Sequence, residues 1–227
     1  MSSVRAPLAE FLGTFFLCFA GIAAILSNTN VVGGHLGLVG IALAHGLALS
    51  VAVNAFGGIS GAHFNPAVTA GMLATRRISV PNAAVYVLFQ LAGATAAAAV
   101  CKATFPEVAV VEANIGIPLP AVWASTATVA TLEFVLTFLL VTAIFGTAID
   151  ERGRAVKIGG FGIGLTVTFD ILAAGAVTGA SMNPARSFGP ALMQGYWAWH
   201  PLYWFAPIAG GVAAALVYEH LILDATR

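Results

Sequence analysis

The chain has 227 residues, of which 59% are hydrophobic and only 8% are charged. This is more apolar side chain than a water-soluble core of that size requires, and it indicates an integral membrane protein. Nine basic and nine acidic residues leave no net charge and no basic cluster, which excludes the counterion-releasing surface that nucleic acid binding needs.

Six apolar runs follow one another along the chain. Each is near the roughly 20 residues that a helix needs to cross the hydrocarbon core. A signal peptide would be followed by a cleavage site of small residues and then a soluble domain, and the first run has neither after it. We therefore expect this run to be retained as a helix. We therefore predict six transmembrane helices, at 6–26, 36–56, 82–103, 121–149, 158–177 and 201–223.

Two shorter segments, 66–75 and 184–194, each begin at the proline of an Asn-Pro pair that follows a glycine-containing loop. Each is about half as long as a spanning helix. Asn is a favoured N-cap and Pro suits the first helical position, so a single Asn-Pro needs no functional explanation. Two copies at matching places in the chain predict a pair of half-helices that enter the membrane and turn back.

The two halves of the chain, 6–103 and 121–223, resemble each other. The run Gly-Ala-His-Phe-Asn-Pro-Ala at 61–67 matches Gly-Ala-Ser-Met-Asn-Pro-Ala at 179–185, a shift of 118 residues (183 − 65). Each half holds three spans, an odd number, so the second half must be inverted in the membrane. The half-helices then meet near the midplane, where their free backbone groups require a polar path. We interpret the whole chain, 1–227, as one membrane domain.

Basic residues indicate the orientation, because Lys and Arg concentrate in short cytoplasmic segments. Under this topology only Lys102 and Arg186 lie away from the basic face. We expect both termini to be cytoplasmic and the membrane to be the plasma membrane. The residues that share the basic face are Arg5, Arg76, Arg77, Arg152, Arg154, Lys157 and Arg227.

The paired Asn-Pro-Ala motifs, within 60–69 and 179–190, resemble those of the aquaporin (major intrinsic protein) family, and the resemblance spans nearly the full length. It implies an all-α membrane fold of six helices and two re-entrant half-helices, assembled as a homotetramer. It also implies a passive channel for water that excludes protons and ions and needs no cofactor. The short termini and loops give the chain the look of a prokaryotic member.

The resemblance places both motifs at the centre of a pore. There the amides of two asparagines would donate hydrogen bonds to passing water, and the positive N-termini of the half-helices would repel cations. The residues assigned to the pore centre are Asn65, Pro66, Ala67, Asn183, Pro184 and Ala185.

Arg186 follows the second motif, where the first half has Val68. An Arg at membrane depth is costly and usually functional. The alternative, a snorkelling or structural cation at a helix start, is disfavoured by the dipole of the half-helix. By resemblance, Arg186 forms an outer selectivity filter with His45, Ile171 and Ala180.

The filter departs from the strictly water-selective pattern of the family, which has an aromatic residue on the second span and His on the fifth. Here His45 lies on the second span and Ile171 on the fifth. This combination is similar to that of plant vacuolar-membrane (tonoplast) aquaporins, so ammonia, urea and hydrogen peroxide join water as expected solutes. Ser187, where glycerol facilitators carry Asp, makes glycerol a weaker candidate.

Several polar residues remain inside apolar runs. The resemblance implies that Glu10 and Glu133 accept hydrogen bonds from the re-entrant loops; for Glu10 the alternative is a carboxylate that complements a helix N-terminus. His63 is assigned to loop support or to the cytoplasmic vestibule. For His45 the alternative is a packing histidine bonded to a nearby carbonyl. Asp170 receives no role from the sequence.

Other functions are weaker interpretations. A coupled secondary transporter also uses inverted repeats, but no acidic pair is placed to bind a coupling ion. A solute facilitator with low water permeability stays open. An enzyme is disfavoured because no nucleophile and base are paired, and Cys18 and Cys101 lack the close spacing of a metal site. We expect no metal and no cofactor.

Overall fold

The computed structural model describes residues 4–223, which form helices, turns and loops without a β-strand. Arg227, one of the basic residues used for the orientation, lies outside the described residues. Six long helices are α1 (Arg5–Ser27), α2 (Gly37–Ser60), α4 (Val80–Thr104), α6 (Thr126–Ile144), α8 (Gly159–Thr178) and α10 (Leu202–Val217). The shorter helices are α3 (Pro66–Ala74), α5 (Glu107–Glu112), α7 (Glu151–Arg154) and α9 (Pro184–Gln194).

Each long helix is long and apolar enough to cross a membrane, once α6 and α10 are extended by π-helical turns at Phe145–Ile149 and Tyr218–Leu223. The prediction of an all-α protein with six spans is therefore confirmed. α3 and α9 are the two half-helices, and each begins at the proline of its Asn-Pro pair.

Two spans differ from their predicted bounds by about four residues or more at one end, and the others by one or two residues. α2 continues past its predicted end, Phe56, to Ser60, where Gly61 adopts a left-handed conformation (φ 86°) that ends the helix. α6 begins at Thr126, later than predicted, because the Ser125 hydroxyl accepts an amide hydrogen from the first turn. The length of an apolar run predicts which residues lie in the membrane, but the capping residues Gly61 and Ser125 determine where these helices end and begin.

Close backbone contact brings α2 and α8 together. A Cβ atom added at Gly46 would lie 2.5 Å from the Gly164 carbonyl oxygen, and one added at Gly164 would lie 2.2 Å from the Gly46 oxygen. Such small residues let two helices approach closely in a membrane. His45 on α2 and Ile171 on α8 line the same two cavities.

Equivalent helix crossings recur in the two halves. A Cβ atom at Gly93 on α4 would lie 2.3 Å from the Phe11 oxygen of α1, and one at Gly210 on α10 would lie 2.2 Å from the Phe134 oxygen of α6. The same kind of close crossing at a glycine therefore occurs both within residues 6–103 and within residues 121–223.

The half-helices are exchanged between these halves. α3 packs mainly against α10, and α9 packs mainly against α4. Each half-helix is therefore held in place chiefly by a long helix from the other half of the chain, which brings the two Asn-Pro motifs together in the interior.

Candidate functional site

The loop before each half-helix has an unusual backbone. In the first loop Ala62 and Phe64 have positive φ angles (52° and 50°), and in the second Ala180 and Met182 do (40° and 53°). Such conformations cost about 1–3 kcal/mol for each non-glycine residue and persist only where the surroundings enforce them. The loops therefore need fixed hydrogen-bond partners.

Glu10 supplies those partners for the first loop. The carboxylate is fully buried. Its Oε1 accepts hydrogen bonds from the Ser60 hydroxyl at 2.6 Å and the His63 amide at 3.0 Å. Its Oε2 accepts from the Phe64 amide at 2.7 Å and from Gln90 Nε2 at 2.8 Å. A side chain from α1 thus satisfies loop groups that lipid would leave unpaired.

Glu133 holds the second loop in a closely similar way. It is also fully buried. Its Oε1 accepts from the Thr178 hydroxyl at 2.7 Å and the Ser181 amide at 2.9 Å, and its Oε2 accepts from the Met182 amide at 2.8 Å. Both glutamates therefore contact loop backbone.

His63 lies at the first loop, beside the motif. Its Nδ1 lies 3.1 Å from the Thr69 hydroxyl, and its ring packs edge-on against Tyr86. The Tyr86 hydroxyl in turn donates to the Ser60 carbonyl at 2.8 Å. Sequence reasoning missed Tyr86, because a tyrosine in a transmembrane helix carries no sign of which carbonyl it reaches.

The two motif asparagines connect the loops to each other. Asn65 Nδ2 donates to the Met182 carbonyl at 2.8 Å, and Asn183 Nδ2 donates to the Phe64 carbonyl at 2.9 Å. Each Oδ1 caps its own half-helix, accepting the amide hydrogen of Ala67 or Ala185. The amide N of each side chain carries two hydrogens, so each keeps one for another acceptor.

Both asparagines line an internal cavity. One wall is polar and is formed by the re-entrant loops, and the opposite walls are aliphatic. The aliphatic side chains that line it are Leu17, Leu49, Val53, Val68, Leu140, Ile144, Ile163 and Val167.

The residues assigned to the filter lie at one end of this cavity. His45, Ile171 and Arg186 line both the internal cavity and a second cavity beside the segment that follows α5. Ala180 lines only the internal one. The three side chains thus stand where the two spaces join.

Arg186 is held in place rather than reaching for the surface. It is buried, and its Nη1 donates to the Gly116 carbonyl at 2.7 Å. Gly116 ends a short 3₁₀ turn, Asn114–Gly116, that follows α5. The sequence did not predict this turn, since its role depends on a contact 70 residues away.

The sequence left two roles open for His45, a pore-lining residue and a packing residue bonded to a carbonyl, and the structure shows both. Its Nδ1 lies 2.8 Å from the Ile41 carbonyl of its own helix, so Nδ1 carries the hydrogen and Nε2 is an acceptor in the neutral ring. The same ring lines both cavities. It fits against α1 because Gly21 has no side chain: a Cβ atom there would lie 2.1 Å from Nε2.

A polar cluster lies at the end of α6. Arg152 donates to the Asp150 carboxylate through Nε at 2.9 Å, and Tyr218 donates to it at 3.1 Å. The Arg152 hydrogen bonds lower the pKa of Asp150 to about 2. Nearby, Arg77 pairs with Glu219 at 2.6 Å. Within 4–223, no three His, Cys, Asp or Glu side chains are grouped closely enough to hold a metal ion.

Six spans, two half-helices that meet end to end and an internal cavity beside their meeting point define a multi-pass membrane channel, not an enzyme. The chain belongs to the major intrinsic protein family, whose model matches residues 1–218.

Curated relatives cover nearly the whole chain. Aquaporin TIP4-4 of Zea mays is 42% identical over 226 residues, covering 97% of this chain and 87% of the relative. Probable aquaporin TIP3-2 of Arabidopsis thaliana is 43% identical over 238 residues, covering 99% and 86%. The aquaglyceroporin of Plasmodium falciparum superimposes with a TM-score of 0.85 over 98% of each chain at 24% identity, which shows the shared fold.

Proposed function

We propose that the chain is a passive channel for water that also passes ammonia, hydrogen peroxide and urea, and excludes protons and ions. The observation that carries this proposal is the junction of the two cavities, where His45, Ile171 and the fixed Arg186 stand together. The TIP-type aquaporin relatives support the water channel, while the further solutes rest on the filter residues.

The pore centre favours neutral molecules. Each half-helix N-terminus carries roughly half a positive charge, so the pair opposes a cation there. The free amide hydrogens of Asn65 and Asn183 offer two donors to a water oxygen, while the aliphatic walls offer none. A water molecule is therefore oriented oxygen-first towards the asparagines. Arg186 adds a second positive barrier at the outer end.

The filter supports a wider solute range than water alone. Ile171 presents an aliphatic side chain and Ala180 a methyl group, so neither donates nor accepts hydrogen bonds through its side chain. The Nε2 atom of a neutral His45 accepts one hydrogen bond, which suits ammonia, urea and peroxide as well as water. Glycerol is the weaker candidate among the neutral solutes.

Loop support is the proposed role of Glu10, Glu133 and His63. Glu10 fixes the positive-φ backbone of the first loop. Glu133 fixes that of the second loop, which carries Ala180 and leads to Arg186. His63 orients the first loop through Thr69.

For the assembly we propose a homotetramer with both termini cytoplasmic. The family resemblance supports the tetramer, and the basic residues of the shared face support the orientation. The expectation of a plasma membrane lacks support, because the relatives are TIP-type aquaporins, which point to the tonoplast. Native mass spectrometry in a mild detergent checks the subunit number.

Stopped-flow light scattering on proteoliposomes tests the function. Under an osmotic gradient, vesicles that contain the purified protein should shrink faster than protein-free liposomes, and the activation energy of their water flux should be low. The same vesicles should re-swell in urea and in an ammonia gradient. Shrinkage equal to that of empty vesicles, with solute entry retained, would instead establish a solute facilitator with low water permeability. No flux of any solute would contradict the proposal.

Arg186→Ala tests the filter directly. The variant should admit more urea and glycerol relative to water and should weaken the exclusion of ions. Arg154→Ala removes a charge of the same sign from an exposed position and serves as the matched control. Equal selectivity in the two variants would count against the filter role of Arg186.

A further inference from the structure

The connection between the two halves, residues 105–125, lines part of the second cavity, and one turn of it has an unusual backbone. Asn114, Ile115 and Gly116 follow one another with positive φ angles of 46°, 49° and 72°. Asn and Gly tolerate this left-handed conformation, but a β-branched side chain such as that of Ile rarely adopts it. Ile115 is therefore held in a costly conformation that its surroundings must enforce.

Burial of the Ile115 side chain enforces this conformation. The side chain is fully buried, and the turn contacts α1, α4 and α9. Close packing of an aliphatic side chain is favourable through its many dispersion contacts, and here it offsets the strain of the backbone. The apolar cluster to which Ile115 belongs includes Ile22 and Leu26 of α1, Cys101 of α4 and Ala185 of α9.

The buried turn directs one carbonyl towards Arg186. The hydrogen bonds of the turn itself run from the Gly116 amide to the Ala113 carbonyl, at 2.8 Å, and from the Ile117 amide to the Asn114 carbonyl, at 3.0 Å. The Gly116 carbonyl is thus left to accept the hydrogen bond from Arg186 Nη1 at 2.7 Å. Among the described residues, this carbonyl is the acceptor that holds the buried guanidinium.

Gly116 packs directly against α1. A Cβ atom added at Gly116 would lie 3.2 Å from Ile25 Cδ1 and 3.6 Å from the Ile22 Cα atom. This close packing leaves the Gly116 carbonyl little room to turn away from Arg186.

Two other contacts hold the ends of the connection. Near its start, Glu112 Oε1 accepts hydrogen bonds from the Asn30 amide and from Asn30 Nδ2, each at 3.2 Å and in an exposed position. Near its end, the Ala121 amide donates to the Val177 carbonyl at 2.8 Å. Neither contact involves a residue of the turn, so the direction of the Gly116 carbonyl is left to the side chain buried next to it.

We propose that Ile115 is a positioning residue for the selectivity filter, because its buried side chain fixes the turn whose Gly116 carbonyl holds Arg186. Gly116 lines the second cavity and not the internal one, so the hydrogen bond draws the guanidinium towards the wall of the second cavity. Without the Ile115 side chain the turn relaxes, and the guanidinium is free to move across the junction of the two cavities. This inference rests on the proposed filter function of Arg186.

Water flux through Ile115→Ala in proteoliposomes tests the inference. Loss of one hydrogen bond to a charged group corresponds to about a tenfold change in the population of the held position. The variant should therefore conduct water severalfold more slowly and with a higher activation energy, because each passage then depends on motion of the guanidinium. After subtraction of the flux through protein-free liposomes, the activation energy does not depend on the amount of folded protein. A merely structural role of Ile115 would leave it unchanged.

A double variant shows whether Ile115 acts through Arg186. When the guanidinium is absent, removal of the Ile115 side chain should add nothing, so Arg186→Ala with and without Ile115→Ala should have the same low activation energy. Ile115→Val keeps a β-branched side chain and should behave like the wild type. Val111→Ala truncates an exposed side chain of the same connection and is the matched control. An unchanged activation energy in Ile115→Ala, or an effect that persists without Arg186, would overturn the inference.

Solid-state NMR of isotope-labelled arginine side chains, in the same proteoliposomes, gives a readout that does not depend on flux. The signal that Arg186→Ala removes identifies Arg186. Its N–H dipolar couplings should be nearly rigid in the wild type and in Ile115→Val, and motionally averaged in Ile115→Ala. If Ile115→Ala does not fold, Gly116→Ala is the second variant and should show the same averaging, because its Cβ atom would press on Ile25.

The two readouts separate the two failures. A guanidinium that is as rigid in the variant as in the wild type overturns the positioning role of Ile115 even where the channel conducts normally. A wild-type protein that conducts no water, with the NMR difference intact, contradicts the proposed function and leaves the positioning role supported.

Discussion

Replacing Asn183 by Asp places a negative charge at the meeting point of the two half-helices. The variant keeps an oxygen to accept the amide hydrogens of Ala185 and Arg186, so the half-helix keeps its cap. It loses the donor that now reaches the Phe64 carbonyl. The main change is therefore electrostatic, at the point where a permeating cation meets the positive helix ends.

The size of the effect follows from the charges involved. Two half-helix ends contribute about one positive charge in total, which a carboxylate cancels. A unit charge about 4 Å from a permeating cation is worth about 4 kcal/mol at an effective dielectric constant near 20. Since each 1.4 kcal/mol is about a factor of ten, we expect the leak of protons or alkali cations to rise by about 10³-fold.

The measurement is proton flux into proteoliposomes loaded with a pH-sensitive dye, under a fixed diffusion potential. Asn183→Ser is the matched control, because it also loses the bond to Phe64 but adds no charge and retains a capping oxygen. Circular dichroism and water permeability check that each variant is folded. If Asn183→Asp is folded and conducts protons no faster than Asn183→Ser, the electrostatic account of the pore centre is refuted.

Three further predictions concern other parts of the molecule. Gly21→Ala should lower water permeability severalfold, because its Cβ atom would lie 2.1 Å from His45 Nε2 and displace the ring; unchanged stopped-flow rates would contradict this. Ile171→His should narrow the filter and reduce urea entry more than water flux, which re-swelling assays check. Because the pKa of Asp150 in the folded protein, about 2, lies below the usual Asp value of about 3.9, its pairing with Arg152 should be fully present above about pH 4 and lost as the pH falls through about 2. Limited proteolysis of the 150–157 segment across that range should show increased cleavage only at the acid end, and Asp150→Asn should remove the dependence.

The fold was predictable because its determinants are local. Long apolar runs identify the spans, and an Asn-Pro pair identifies the start of each half-helix. The helix ends were less predictable, since an apolar run does not reveal the residue that caps it, as Ser125 shows at the start of α6. The π-helical turns after α6 and α10 have no evident signal in the sequence.

The candidate site was predictable only where a residue lies at a fixed distance from a motif. Arg186, Asn65 and Asn183 are of this kind, and the structure brings them to one cavity. The groups that fix the site are distant in sequence. The Gly116 carbonyl, in another loop, accepts a hydrogen bond from Arg186, and Gln90 on α4 donates to Glu10 on α1. No periodicity or spacing encodes such contacts, because they arise from the packing of separate helices.

The exchange of half-helices between the two halves of the chain bears on how the protein is made. While the first half alone has emerged from the ribosome, α3 lacks its main packing partner, α10, and the Phe64 carbonyl lacks the Asn183 amide. The first re-entrant segment must therefore wait, incompletely paired, until the last helix is synthesised. We therefore expect the pore to be completed late in biogenesis, after α10 has been synthesised.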